Sequence, residues 1–263
     1  MRHVCAVTLT NNLFAISSIK NLSACNHFPI KMSIALISNY LETYPGRDKF
    51  LRTLSYMAKL ATVGTSSKET EKKFKVFSSQ ISGCRVMLRL LDDIPMLHHA
   101  ITYGWGRKEP DWLIRWAELT QIAVDTVFGP IEHISWAGEH KLINIDIEAW
   151  DNTSTWFWII SLHLSLLKSL RKLKKYGNYK MHLGETNCDT RAALKTVSKQ
   201  TWNELLTCTR LILDISYAVS YLPPGVFWGG QLKTWQVGAL GTVSSMIGLY
   251  QALRKQAEQK KYS

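Results

Sequence analysis

An all-α protein that works at a membrane is the fold class this sequence predicts: amphipathic and membrane-embedded helices with one or two transmembrane spans. Three observations carry that expectation. Apolar residues recur every three or four positions from residue 32 onward, and no run alternates with the period of two that a strand requires. Residues 234–253, TWQVGALGTVSSMIGLYQAL, carry no charge and match the roughly 20 residues of one bilayer crossing. Residues 68–93 set a narrow apolar seam against a cationic arc.

The chain has 263 residues, a formal net charge of +12 and 46% hydrophobic residues, enough for one or two ordinary domains and too apolar for disorder. Excess positive charge calls for an anionic partner, nucleic acid or lipid. The basic residues sit beside apolar runs, as juxtamembrane charge does, which selects an anionic phospholipid membrane and no nucleic acid. Cys5, Cys25, Cys84, Cys188 and Cys208 are odd in number and form no C-x-x-C pair, which argues against a disulfide framework and for a reducing compartment. His98-His99 and Asp92-Asp93 lack the spacing of a metal-binding helix, so no metal site is expected. No G-x-S-x-G, P-loop or dinucleotide fingerprint is present, so neither an enzyme nor a cofactor is expected.

Taken in order, residues 1–31 contain no acidic residue, and Met32 opens a natural start; they read as a leader or upstream extension outside the fold. Residues 32–150 read as a cytosolic-facing helical region. Its first helix is broken at Pro45-Gly46, with Asp48 near the restart, where a carboxylate favours exposed N–H groups. The second runs from about residue 68 to 91 and ends at "DDIP", because proline cannot continue a helix without loss. After the loop "YGWGRKEPD", a third helix closes at Gly129-Pro130.

Residues 151–263 read as the membrane-embedded region, with candidate spans near 152–173 and 234–253 and a basic C-terminal tail. The first candidate is uncharged only to Leu167, and Lys168 must snorkel for Leu170 and Leu173 to contribute. A linker with Gly177, Asn178, Gly184, Asn187 and Asp189 follows. A further helix over 194–222 is interrupted by Asp214 and ended by "PPG". In the last span Gly238, Gly241, Ser245 and Gly248 share a side, where small residues permit close helix association.

In the second helix Phe74, Phe77, Ile81, Cys84, Leu88 and Leu91 fall on one arc. Lys75, Ser78, Ser82, Arg85 and Arg89 fall on the opposing one, with Lys72 beside it. Such a helix lies flat at a bilayer, Phe and Leu entering the acyl boundary and the cations meeting headgroups. Its rival is a surface helix that packs the apolar seam on a protein core and turns its cations to water.

In this order "YPGRDKFLR", "CRVMLRLLDD", "GPIEHISWAG", "YLPPGVFWGG" and "GTVSSMIGLYQ" resemble the peroxin-11 family of peroxisomal membrane proteins, gamma type. The resemblance implies a peroxisomal membrane protein, multi-pass or hairpin, with both termini in the cytosol. It implies peroxisome elongation, proliferation and fission through amphipathic helix insertion, homo-oligomers and hetero-oligomers with other family members, and recruitment of fission machinery. By that reading Lys72, Lys75, Arg85 and Arg89 meet headgroups, while Phe74, Phe77, Ile81 and Leu88 form the wedge. Two other functions remain in play: a membrane channel for small metabolites, with His163 and Asp214 as its polar candidates, and a passive adaptor for fission factors. With two spans and cytosolic ends, "KSLRKLKK" (168–175) faces the lumen against the positive-inside tendency. Either the first apolar run is re-entrant or interfacial, or post-translational insertion weakens the rule.

Overall fold

The computed structural model describes residues 34–262, apart from 36, 66 and 184–189. The leader 1–31 therefore lies outside the described residues, as do Gly184, Asn187, Asp189 and Cys188 of the linker. All regular structure among the described residues is helical: α1 (Tyr44–Ala61), a short 3₁₀ turn (Thr62–Gly64), α2 (Lys68–Arg89), α3 (Asp93–Tyr103), α4 (Trp112–Glu139), α5 (Ile147–Leu183), α6 (Thr190–Val219) and α7 (Thr234–Tyr262).

Residues 48–251 form one compact unit; the described residues up to Arg47, with Ala252 onward, form a second. In the second, Pro45 and Gly46 occupy the first turn of α1 rather than breaking a helix. Proline is tolerated there because its missing N–H would be unsatisfied anyway. Thr43 caps the turn, its hydroxyl accepting from the Gly46 N–H at 3.2 Å and donating to the Tyr40 carbonyl at 2.7 Å. A Cβ on Gly46 would stand 1.8 Å from that carbonyl oxygen, so only glycine fits.

In the larger unit α1 and α2 form an antiparallel pair with polar rungs. Ser55 Oγ lies 3.0 Å from Ser78 Oγ and 2.9 Å from Ser82 Oγ, and Ser78 Oγ donates to the Ser55 carbonyl at 3.0 Å. Further along, Arg85 Nε donates to Asp48 Oδ1 at 2.7 Å. Asp48 thus binds an arginine rather than capping α1. Helices α4 and α5 run antiparallel in the same manner: Arg171 Nε meets Asp111 Oδ2 at 2.8 Å, Lys168 pairs with Glu118, and Gln121 Nε2 donates to Ser161 Oγ at 3.3 Å. Asp111 also caps α4, accepting from the N–H groups of Leu113 and Ile114. Helix α6 packs along the other side of α5, and the Ser169 hydroxyl donates to Glu204 at 2.5 Å.

Several boundaries differ from the sequence expectation. "DDIP" does end α2, but Pro95 then sits in the first turn of α3, where it costs no helical bond. Helix α4 runs through Gly129-Pro130 to Glu139. The proline removes one backbone bond, and the turns beyond it are held by neighbouring helices: Glu132 by Arg89 and Ser135 by Asp151. Helix α5 passes Gly177-Asn178 unbroken, and α6 passes Asp214.

No helix among the described residues is long and apolar enough to cross a membrane. That corrects the spans expected near 152–173 and 234–253. The polar residues inside both segments lower their hydropathy, and they serve packing: Ser161, Ser165, Lys168 and Ser169 of α5 bond to α4 or α6, and Thr242, Ser244 and Ser245 of α7 are buried.

Candidate functional site

The larger unit buries a set of polar side chains alongside an apolar core that includes Ile159, Tyr217, Val219 and Leu222. Asp214 is 2% exposed and Ser78 1% exposed, with Ser55, Thr242, Ser244 and Ser245 also buried. At their centre Arg52 Nη2 donates to Asp214 Oδ1 at 2.7 Å and to the Tyr217 hydroxyl at 2.9 Å, while the Ser244 hydroxyl donates to the same carboxylate. Many other large apolar side chains face outward. An exposed patch larger than a few hundred Å² on a folded chain marks a surface that something covers.

Helix α2 is the clearest case, and its orientation decides between the two sequence readings. The arc that packs inward is the polar one: Ser78, Ser82, Arg85 and Arg89. Arg85 is 15% exposed and bound to Asp48, and Arg89 Nη2 reaches Glu132 Oε1 at 2.5 Å. The outward arc is apolar, with Phe77 48% exposed and Val76, Met87 and Leu88 beside it. Leu91, just past the helix end, is 75% exposed. Phe74 and Ile81 are half-buried at the flank. Lys72 is exposed, and Lys75 pairs with Glu71 one turn away at 2.6 Å. The predicted wedge thus faces outward. Two of the four predicted headgroup cations, Arg85 and Arg89, are turned into the bundle as structural ion pairs.

The small residues of α7 are similarly occupied within the chain. A Cβ on Gly238 would stand 2.3 Å from the Leu60 backbone nitrogen, and one on Gly241 would stand 2.2 Å from the Tyr56 ring. Ser245 is buried, and Gly248 lies near the Arg210 side chain. These positions bring α7 against α1. The outward side of α7 carries Val243, Met246 and Tyr250. Of the polar residues considered for a channel, Asp214 is sequestered by Arg52. His163 lines an apolar cavity with Leu167, Val219, Leu222 and Phe227, its Nδ1 2.8 Å from the Ile159 carbonyl.

Sequence reasoning missed a second apolar edge. Ile94, Leu97 and Ile101 of α3, followed by Trp105, and Trp112 and Trp116 at the start of α4, are all exposed. The signal was available in the three- and four-residue spacing from Leu91 to Ile101. Pro95 obscures it, because a proline at that place reads as a helix stop.

A helical bundle that buries hydroxyls and ion pairs beside its apolar core and leaves further large aliphatic and aromatic side chains exposed has the construction of a protein that contacts an apolar partner such as lipid. Residues 34–253 match the family model of Peroxisomal biogenesis factor 11 (PEX11), and the chain belongs to that family. It is therefore a peroxisomal membrane protein with a part in peroxisome biogenesis. Among its relatives is Peroxisomal membrane protein 11C of Mus musculus, 33% identical over 233 residues, which cover 84% of this chain and 96% of that protein. Peroxisomal membrane protein 11C of Homo sapiens is 32% identical over 231 residues, 84% of this chain and 95% of that protein. No solved structure matches the chain.

Proposed function

We propose that the chain remodels the peroxisomal membrane, promoting elongation, proliferation and fission by inserting the outward arc of α2 into one leaflet. The observation that carries this reading is the unpartnered set Val76, Phe77, Met87 and Leu88 on a helix whose polar arc is already bonded to its own bundle. Fully burying a side chain of this size is worth about 1.5–3 kcal/mol, so a few suffice to hold a helix in the acyl boundary. Material added to one leaflet enlarges it relative to the other, and the bilayer relaxes by bending. Lys72, Lys73 and Lys75, on the exposed part of the helix, supply attraction to anionic headgroups.

Oligomers, with itself and with other family members, belong to the same reading. Because Gly238 and Gly241 are used against α1, association between copies falls to the outer face of α7 with Val243, Met246 and Tyr250. Both termini face the cytosol, where the basic tail meets fission factors. The full-length chain reconstituted with anionic vesicles tests the central step. Phe77→Glu places a charge in the wedge and should abolish tubulation while leaving the helical content unchanged by circular dichroism. Tubulation equal to that of the parent protein would sink the proposal.

A further inference from the structure

A polar cavity of about 350 Å³ opens among α1, α2, α4, α5 and α6. Its wall carries four cationic side chains, Arg52, Lys59, Arg85 and Arg89, and one carboxylate, Glu132. The carboxylates that pair with Arg52 and Arg85 belong to Asp214 and Asp48, which do not line the cavity. Lys59 has no carboxylate in contact among the described residues: its Nζ donates to the Tyr221 hydroxyl at 3.0 Å and lies 5.3 and 5.4 Å from the Tyr56 and Tyr221 ring centroids. Arg89 uses Nη2 on Glu132, and its Nε, shut off from solvent, has no hydrogen-bond partner. Burial pushes the Tyr221 phenol up to about 12, so this hydroxyl keeps its proton at neutral pH.

The geometry points to a binding site for a phosphate group, borne by a lipid headgroup or by a small soluble phosphate, with Lys59 as its charged donor and the Tyr221 hydroxyl beside it. An ammonium held only by phenol contacts is incompletely neutralised, and Arg52 and Lys59 both stand over the Tyr56 ring, 5.8 and 5.3 Å from its centroid, so an anion between them meets two cations. The ammonium comes from α1 and the hydroxyl from just past the end of α6, which suits the several oxygens of a phosphate better than the two of a carboxylate. The cavity also exceeds the size of a bare phosphate and leaves room for the group that carries it.

This site is independent of leaflet insertion by α2 and is tested without a bilayer. The full-length chain in nonionic detergent is titrated with inorganic phosphate, glycerol 3-phosphate and short-chain phosphatidic acid. Binding is read by calorimetry and by the shift in unfolding midpoint. At least one of these probes should bind, and Lys59→Gln should weaken it by about ten-fold or more, the loss of one charge-assisted contact. Lys108→Gln, which alters an exposed lysine in the loop before α4, should leave it unchanged. Equal binding of all three probes assigns the site to soluble phosphate, whereas binding of phosphatidic acid alone assigns it to a headgroup. Should Lys59→Gln fail to fold, Tyr221→Phe removes one hydroxyl and keeps the ring, and it too should weaken binding. Absence of binding by every probe, or unchanged affinity in the folded variant, overturns the assignment.

Discussion

Asp214 joins three helices at one point. It lies on α6, accepts from Arg52 of α1, and accepts again from Ser244 of α7. A buried ion pair of this kind adds little over a well-packed apolar pair, yet removing one member strands the other at a cost of about 3–5 kcal/mol. Asp214→Ala should therefore lower the unfolding free energy of the detergent-solubilised protein by that order, measured by thermal or denaturant melts. An aspartate at this place in an otherwise helical run reads in the sequence as an interruption. Its partner lies 162 positions away, so no local pattern could have disclosed the pairing.

At the level of single helices, periodicity made most of the architecture legible. The existence of α2, its end at "DDIP" and its two-sided character all followed from spacing alone. Which side faces the rest of the protein did not follow, because a helical wheel carries no information about where the neighbours stand. Here the deciding partners, Asp48 and Glu132, sit 37 and 43 positions from Arg85 and Arg89. The outward arc is also centred slightly away from the predicted seam: Val76 and Met87 belong to it, whereas Phe74 and Ile81 are half-buried. Arg85→Ala follows from the corrected orientation. It should leave the salt dependence of vesicle binding near that of the parent and reveal itself in a lower melting midpoint, since it leaves Asp48 without its arginine. A binding curve that loses its salt sensitivity with no change in stability would return Arg85 to the surface. Proline misled in both directions at this scale, since Pro95 begins a helix and Pro130 lies inside one.

For the whole molecule, the polar side chains buried between helices explain why hydropathy alone is a poor guide. A window slid along α5 or α7 averages an outer apolar side with an inner side of serine, threonine and lysine, and no helix among the described residues passes as a span. The outer side by itself is apolar over many residues of α2, α3, α5 and α7. Surfaces of that extent are rarely left to water. Alkaline carbonate, which strips proteins held by charge, should therefore leave this chain in the organelle membrane fraction, scored by immunoblot of pellet and supernatant. Quantitative release would mean that electrostatics alone holds it there. The family was legible because five short motifs occur in one order along the chain. The side-chain geometry behind them was not legible, being a property of contacts between motifs.

Helix α5, 37 residues from Ile147 to Leu183, measures about 55 Å at 1.5 Å per residue. The oily interior of a bilayer is only about 30 Å deep. Arg171, Lys172, Lys174, Lys175 and Lys180 gather toward the end of this helix away from its tryptophans. The molecule thereby carries a stiff, positively charged arm whose reach is set by its own pitch, and anything that docks near its far end is held at a fixed distance from the tryptophans at the other.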